Sequence, residues 1–171
     1  FMYNLKSMII YLKNKHTLIV NDFHLKCSIG KKGISSSKKE GDDKTPKGTF
    51  FLENLYYRKD RINNPQTKLK IIKIKKNMGW SDDINDIKNY NKLIKINRKI
   101  HHEKLFRNDH KYDLLIPIKY NFNRPLLKRG SCIFIHLTED YKPTAGCITL
   151  KKSDFIILLK LINKKTIIKI L

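Results

Sequence analysis

The sequence predicts a mainly β fold with one core helix near its carboxyl end and few other helices. Three observations predict it. Short runs rich in Ile, Val, Phe and Tyr recur along the chain, separated by Gly, Pro, Asn or Lys-Asn breaks. Phe23, Leu25 and Cys27 alternate with His24 and Lys26, the period of two expected of a half-buried strand. Only residues 155–163 form a long apolar run behind a capping-type residue, Ser153 or Asp154.

Taken in order, residues 7–12 and 16–20 are two apolar runs split by Lys13-Asn14-Lys15, which predicts a hairpin. The alternating run through Cys27 follows, punctuated by Gly30 and Gly33. Residues 34–48 are polar, with Ser, Gly and Pro, and predict a long surface loop. Residues 49–55 read as a strand, and Ile71, Ile72 and Ile74 as a short one. Residues 80–90 read as a loop with one helical turn, capped by Ser81 or Asp82. Residues 112–120 are strongly apolar, but Pro117 removes a ladder donor and predicts an edge strand or bulge. Residues 131–137 are β-branched and aromatic and predict a central strand. A turn over residues 140–144 leads to a short strand at 147–150, then the helix, then a closing strand at 166–171.

Composition bounds the function classes. A chain of 171 residues suits one domain, expected to span 1–171, with a core large enough to need no staples. Lys and Arg number 37 against 15 Asp and Glu, a net charge of +22. Such a field attracts polyanions. Lys-, Ile- and Asn-biased stretches such as 91–99 and 161–171 point to compositional drift as the main cause of the charge. No zinc-finger spacing, RNA-recognition signature or recognition helix supports a specific nucleic-acid partner. No stretch reaches the ~20 apolar residues of a membrane span, and the run 155–162 reads as a core helix. Three cysteines, an odd number, argue against a disulfide scaffold. The chain opens on Phe1, and the apolar run Met8–Leu12 is too short for a signal-peptide core, so export is not legible here.

The chemistry concentrates in residues 135–150, IHLTEDYKPTAGCITL. His136 ends the strongest strand, and Cys147 follows eleven positions later behind Gly146. Nucleophilic catalysis by cysteine needs a base and backbone N–H groups aimed at a developing oxyanion. A glycine beside the cysteine lets a substrate approach the main chain. The spacing permits His136 and Cys147 to meet on adjacent strands without requiring it. A cysteine in an apolar run is also an ordinary small core residue, and a lone histidine an ordinary structural one.

The run His136…Pro143-Thr144-Ala145-Gly146-Cys147-Ile148-Thr149-Leu150 resembles the catalytic signature of the L,D-transpeptidase (YkuD-type) family, in a compact branch carrying Pro-Thr-Ala-Gly-Cys. Further pieces resemble that branch in order. They are Cys27-Ser28-Ile29-Gly30 with Gly33-Ile34, Lys39-Glu40-Gly41-Asp42 with Thr45-Pro46-Lys47-Gly48-Thr49-Phe50, Tyr57-Arg58-Lys59-Asp60-Arg61, Gly79-Trp80-Ser81-Asp82-Asp83 with Tyr90-Asn91, Glu103 with Leu105, Tyr112-Asp113-Leu114, and Gly130-Ser131-Cys132. The likeness covers residues 18–171.

The resemblance implies a β-sandwich or barrel and an enzyme acting on peptidoglycan stem peptides in the periplasm or cell envelope. Cys147 would be the nucleophile, its pKa lowered if a protonated His136 lies beside it. His136 would be the base and then the acid. Gly146 and Cys147 N–H groups would form the oxyanion hole, and the Leu137 carbonyl would orient His136. No metal or cofactor is implied, and a monomer is expected. Ala145 replaces the histidine of the commoner signature, and Thr149 stands where an arginine is often found. The stem carboxylate must therefore be met elsewhere, with Arg58, Arg61 and Arg124 as candidates and Trp80, Thr144 and Ala145 at the substrate or pocket rim. Two alternatives remain: an L,D-carboxypeptidase using the same site, and a non-catalytic nucleic-acid- or envelope-binding module. His101-His102-Glu103 is a poor metal site, since adjacent strand residues face opposite ways. Gly41-Asp42-Asp43-Lys44-Thr45-Pro46-Lys47-Gly48 lacks the ending of a phosphate loop and reads as a structural or substrate-edging loop. Cys27 and Cys132 are expected to pack inside sheets.

Overall fold

The hairpin expected near the amino end forms as β1 (Ile9–Asn14) and β2 (Thr17–Val20), with Leu12 opposite Leu18 and a register shift before Asn14. The coordinates are a computed structural model and describe residues 7–171; residues 1–6 of the expected 1–171 domain lie outside the described residues. The chain continues through β3 (Phe23–Ser28), β4 (Ile34–Ser35), β5 (Thr45–Pro46), β6 (Gly48–Phe51), β7 (Leu55–Tyr57), β8 (Ile71–Lys73), β9 (Met78–Ser81), β10 (Leu93–Lys95), β11 (His102–Lys104), β12 (Leu114–Pro117), β13 (Phe134–Leu137), β14 (Ile148–Leu150), α1 (Lys152–Leu161) and β15 (Ile167–Ile170). Ten strands form one curled sheet in the order β6-β15-β1-β2-β3-β14-β13-β12-β7-β8. Among the described residues the fold is thus mainly β with one helix, as expected. Among the described residues no helix is long and apolar enough to cross a membrane.

Helix α1 packs one stripe inward. Phe155, Leu158, Leu159 and the following Ile162 sit at i, i+3, i+4 and i+7, each at most 1% exposed. The helix starts earlier than expected, at Lys152, and neither Ser153 nor Asp154 caps it: Lys151 is the cap and offers no side-chain bond. Asp154 in the first turn and Lys160 in the last complement the helix dipole instead.

Strand β13 is central, as its β-branched run predicts, between β12 and β14. Alternation divides its residues. Ile135 and Leu137, with Ile148 and Leu150 of β14, face the large core that includes the α1 stripe. Phe134 faces a second cluster with Tyr56, Trp80, Tyr112 and Leu115, against which Cys147 packs.

Four local expectations are corrected. Pro117 does not mark an edge: β12 is fully buried between β7 and β13, and Pro117 is its last residue, where its carbonyl accepts from Glu53 N–H at 2.9 Å. Residues 49–55 break into β6 and β7 around Glu53 and Asn54. Residues 80–90 do hold one helical turn, closed by Tyr90 N–H on the Asp86 carbonyl at 2.9 Å, but Asp86 caps it rather than Ser81 or Asp82. Trp80 and Ser81 belong to β9, and Trp80 is central in a small sheet of order β10-β9-β11, which pattern reading did not foresee. Residues 34–48 are a surface loop only in part: 36–44 is irregular and edges the cleft through Glu40 and Gly41, but β4 pairs with β5, Thr45 is fully buried, and Lys38 is 4% exposed in an ion pair with Asp42 at 2.6 Å.

Candidate active site

The site is built on two adjacent parallel strands. Ile135 pairs with Ile148 and His136 with Thr149, so continuing the register sets Cys147 opposite Phe134. His136 and Cys147 therefore fall on the same face, at alternate positions of one pleat. The Phe134 N–H donates to Cys147 Sγ at 3.4 Å, and the Sγ–H donates to the Cys132 carbonyl at 3.1 Å. Both residues line one open cleft of about 620 Å³.

His136 is 7% exposed and is held from two sides. Its Nδ1 lies 2.9 Å from the Leu137 carbonyl, which requires a proton on Nδ1 and leaves Nε2 as acceptor. The Tyr112 ring packs edge-on at 5.1 Å, and Tyr112 Oη donates to Glu103 Oε1 at 2.6 Å. Burial lowers the His136 pKa to about 4, so the ring is neutral.

The thiol departs from expectation. Cys147 is half-buried in the cleft wall, and desolvation by its surroundings pushes the thiol up to about 12 against an ordinary 9.0. The Phe134 N–H offsets only part of this. No imidazolium compensates, because His136 is itself held neutral. The resting pair is thus thiol and imidazole, not thiolate and imidazolium.

The turn before the cysteine depends on glycine. Gly146 has φ +146°, and a Cβ there would stand 2.8 Å from the Lys44 carbonyl oxygen. The two amides expected as an oxyanion hole are not equivalent. Gly146 N–H donates to Thr144 Oγ1 at 3.1 Å, while Thr144 Oγ1 donates to the Cys147 carbonyl at 2.6 Å. The Cys147 N–H has no hydrogen-bond partner among the described residues.

Residues 3–170 match the family described as YkuD: L,D-transpeptidase catalytic domain. The chain belongs to this family. No curated protein matches it in sequence. Among solved structures, this YkuD domain is similar to the helical cell shape determining protein Pgp2 from Campylobacter jejuni. The identity is 18% and the TM-score 0.50, over 96% of this chain and 46% of that one. It also matches Bd1075 of Bdellovibrio bacteriovorus, at 18% identity and TM-score 0.49, over 96% and 47% of the two chains. A third match is L,D-transpeptidase 1 of Mycobacterium tuberculosis, at 14% identity and TM-score 0.43, over 96% and 59%. The chain spans about half the length of these proteins.

Several residues assigned to this YkuD site by resemblance lie elsewhere. Trp80 is 2% exposed and packed among Tyr56, Phe122 and Phe134, with its Nε1–H on Asn91 Oδ1 at 3.0 Å. Arg58 is buried against the Phe106 ring and donates to Asp60 and to the Arg107 carbonyl. Arg61 is tied to Asp113 at 2.9 Å, and neither arginine lines the cleft. Arg124 is exposed and outside it. Thr144 and Ala145 do line it, as does Thr149, whose hydroxyl is engaged by Ser28. Cys27 packs in β3, whereas Cys132 lies outside any strand, at φ +53°, in the cleft wall. His101 is exposed and paired with Asp82.

The cleft's charged lining was the main omission of sequence reasoning. Lys38, Glu40, Glu103, Arg107 and Lys111 all face it. Glu40 and Glu103 stood in the quoted likeness, but nothing marked Arg107 or Lys111 among so many basic residues.

Proposed function

We propose that this chain is a single cysteine-dependent L,D-transpeptidase domain acting on peptidoglycan stem peptides in the cell envelope as a monomer. The observation that carries this is Cys147 and a neutral, oriented His136 on one face of neighbouring strands, walling one cleft in a domain of this family.

In this mechanism Cys147 Sγ attacks the carbonyl on the L-centre of the stem's diamino acid. The S–H turns from the Cys132 carbonyl, and His136 Nε2 takes the proton as the S–C bond forms. The carbonyl π pair moves to oxygen, where the Cys147 N–H receives it. Collapse expels D-alanine, whose nitrogen takes the proton from His136, leaving a thioester. An amine of a second stem then attacks, giving its proton to His136 and restoring the thiol. Leu137 is the backbone orienter. Arg107 and Lys111 replace Arg58, Arg61 and Arg124 as groups facing the substrate's carboxylates.

Hydrolysis of the same thioester is a second reading, favoured by an open cleft with charged walls, which admits water to the thioester. The test is a carbapenem, whose strained ring acylates such thiols. One adduct should form in wild type, Cys27→Ala and Cys132→Ala but not in Cys147→Ala; an adduct persisting in Cys147→Ala overturns the assignment. Incubation with whole sacculi then separates the readings. New crosslinked muropeptides mark transfer, and tripeptide alone marks hydrolysis. Salt-resistant, sequence-selective DNA binding without an adduct would restore the non-catalytic alternative.

A further inference from the structure

Thr45 stands at the junction of the 29–46 segment and the cysteine turn, and it is fully buried. Its Oγ1 accepts from the Gly30 N–H at 3.0 Å, so its single hydroxyl hydrogen is free to donate to the Gly146 carbonyl at 2.8 Å. Its own N–H is fixed on the Gly33 carbonyl at 2.8 Å. On the same strap, Lys31 N–H donates to the Thr144 carbonyl at 2.8 Å, and Thr144 N–H to the Ile29 carbonyl at 2.9 Å.

The Gly146 carbonyl and the Cys147 N–H belong to one peptide unit. In a trans peptide these two groups point in opposite directions, and there are no cis bonds among the described residues. A carbonyl fixed toward buried Thr45 therefore turns the Cys147 N–H away from Thr45, in a turn whose Gly146 and Cys147 both line the cleft. Because the Gly146 N–H is engaged by Thr144, this amide is the donor the turn leaves for an oxyanion.

We propose that Thr45 is a positioning residue for acyl transfer, holding the Gly146–Cys147 peptide so that the Cys147 N–H meets the oxyanion. It rests on the acyl-transfer reading. In the step concerned, the S–C bond forms, the thiol proton passes to His136 Nε2, and the carbonyl π pair moves onto oxygen, which that N–H stabilises. Thr45 touches neither substrate nor sulfur.

The test compares two reactions of one sulfur. Acylation by a carbapenem generates an oxyanion, whereas alkylation by iodoacetamide displaces iodide and generates none. Thr45→Val and Thr45→Ala should slow acylation at Cys147 by roughly ten- to a hundredfold, below the ~10²–10³ of removing an oxyanion donor outright. They should leave Cys147 alkylation within about twofold, since the sulfur stays where it was. Thr45→Ser, which keeps the hydroxyl, should restore acylation. Equal slowing of both reactions, or variants acylated at the wild-type rate, overturns the proposal. So do variants in which buried Cys27 becomes labelled, since Thr45 would then serve the fold alone. A wild-type protein alkylated at Cys147 but never acylated would instead overturn the nucleophile assignment itself.

Discussion

Raising the pH from about 5 to about 10 should bring up no thiolate absorbance from Cys147 below about pH 9. Desolvation of the sulfur pushes its pKa from 9.0 to about 12. That is a gap of about three pH units, or roughly 4 kcal/mol against ionising in place. At neutral pH the thiolate is then on the order of one molecule in 10⁵. A preformed ion pair, the arrangement common at activated cysteines, would instead be mostly thiolate at pH ~7. The assay is ultraviolet thiolate absorbance in wild type minus Cys147→Ala. Other thiols add little, because burial also raises Cys27 to about 12 and Cys132 well above its ordinary value, and tyrosinate absorbance common to both proteins cancels in the difference. The sign follows from linkage. A raised thiol stabilises the fold fully below its unfolded value near 9, and that contribution is lost as pH climbs toward about 12. A Cys147-dependent absorbance step below about pH 8 would refute the reasoning, and with it a mechanism in which the proton leaves only as the S–C bond forms.

His136 should make the protein sensitive to acid. Its folded pKa of about 4 lies below the ordinary 6.5, so its contribution is complete above the unfolded value and lost as pH falls toward about 4. Denaturant titrations should show on the order of 3 kcal/mol of this loss in wild type and none of it in His136→Asn; parallel pH curves would contradict it. Trp80→Ala should act on the fold and not on substrate binding. Removing this 2%-exposed ring should cost ~3–5 kcal/mol, read as a lower denaturant midpoint, while the folded fraction still takes up carbapenem. An unchanged midpoint with weakened binding would return Trp80 to the substrate.

Part of the site was legible locally, because His136 lies on a short strand with a strong pattern and Cys147 stands just before another, β14. The β-branched run ending at Leu137 marked a central strand, which β13 is, between β12 and β14. The glycine before Cys147 marked the sharp turn that its φ of +146° requires. The stripe of α1 was legible in the same way, as was the strand that closes the sheet beside β1. Elsewhere local signals misled. Ser, Gly and Pro in 34–48 gave that segment the look of a surface loop, yet Thr45 is buried because the cysteine turn covers it. Trp80 is placed in packing or at the pocket rim by resemblance alone, and is core because β10 and β11 flank β9 and Tyr56 and Phe134 meet its ring.

By itself the sequence determined the strand-rich class, the helix and the family likeness, and it singled out Cys147 and His136 as candidates without requiring that they meet. Periodicity reports which side chains share a face, and motif order survives without coordinates. Only the tertiary structure decided the ionisation of that pair, the choice of backbone donor and the charges lining the cleft. Each of these depends on what distant segments place around a group: how much water they remove, and which carbonyl or hydroxyl they bring against it.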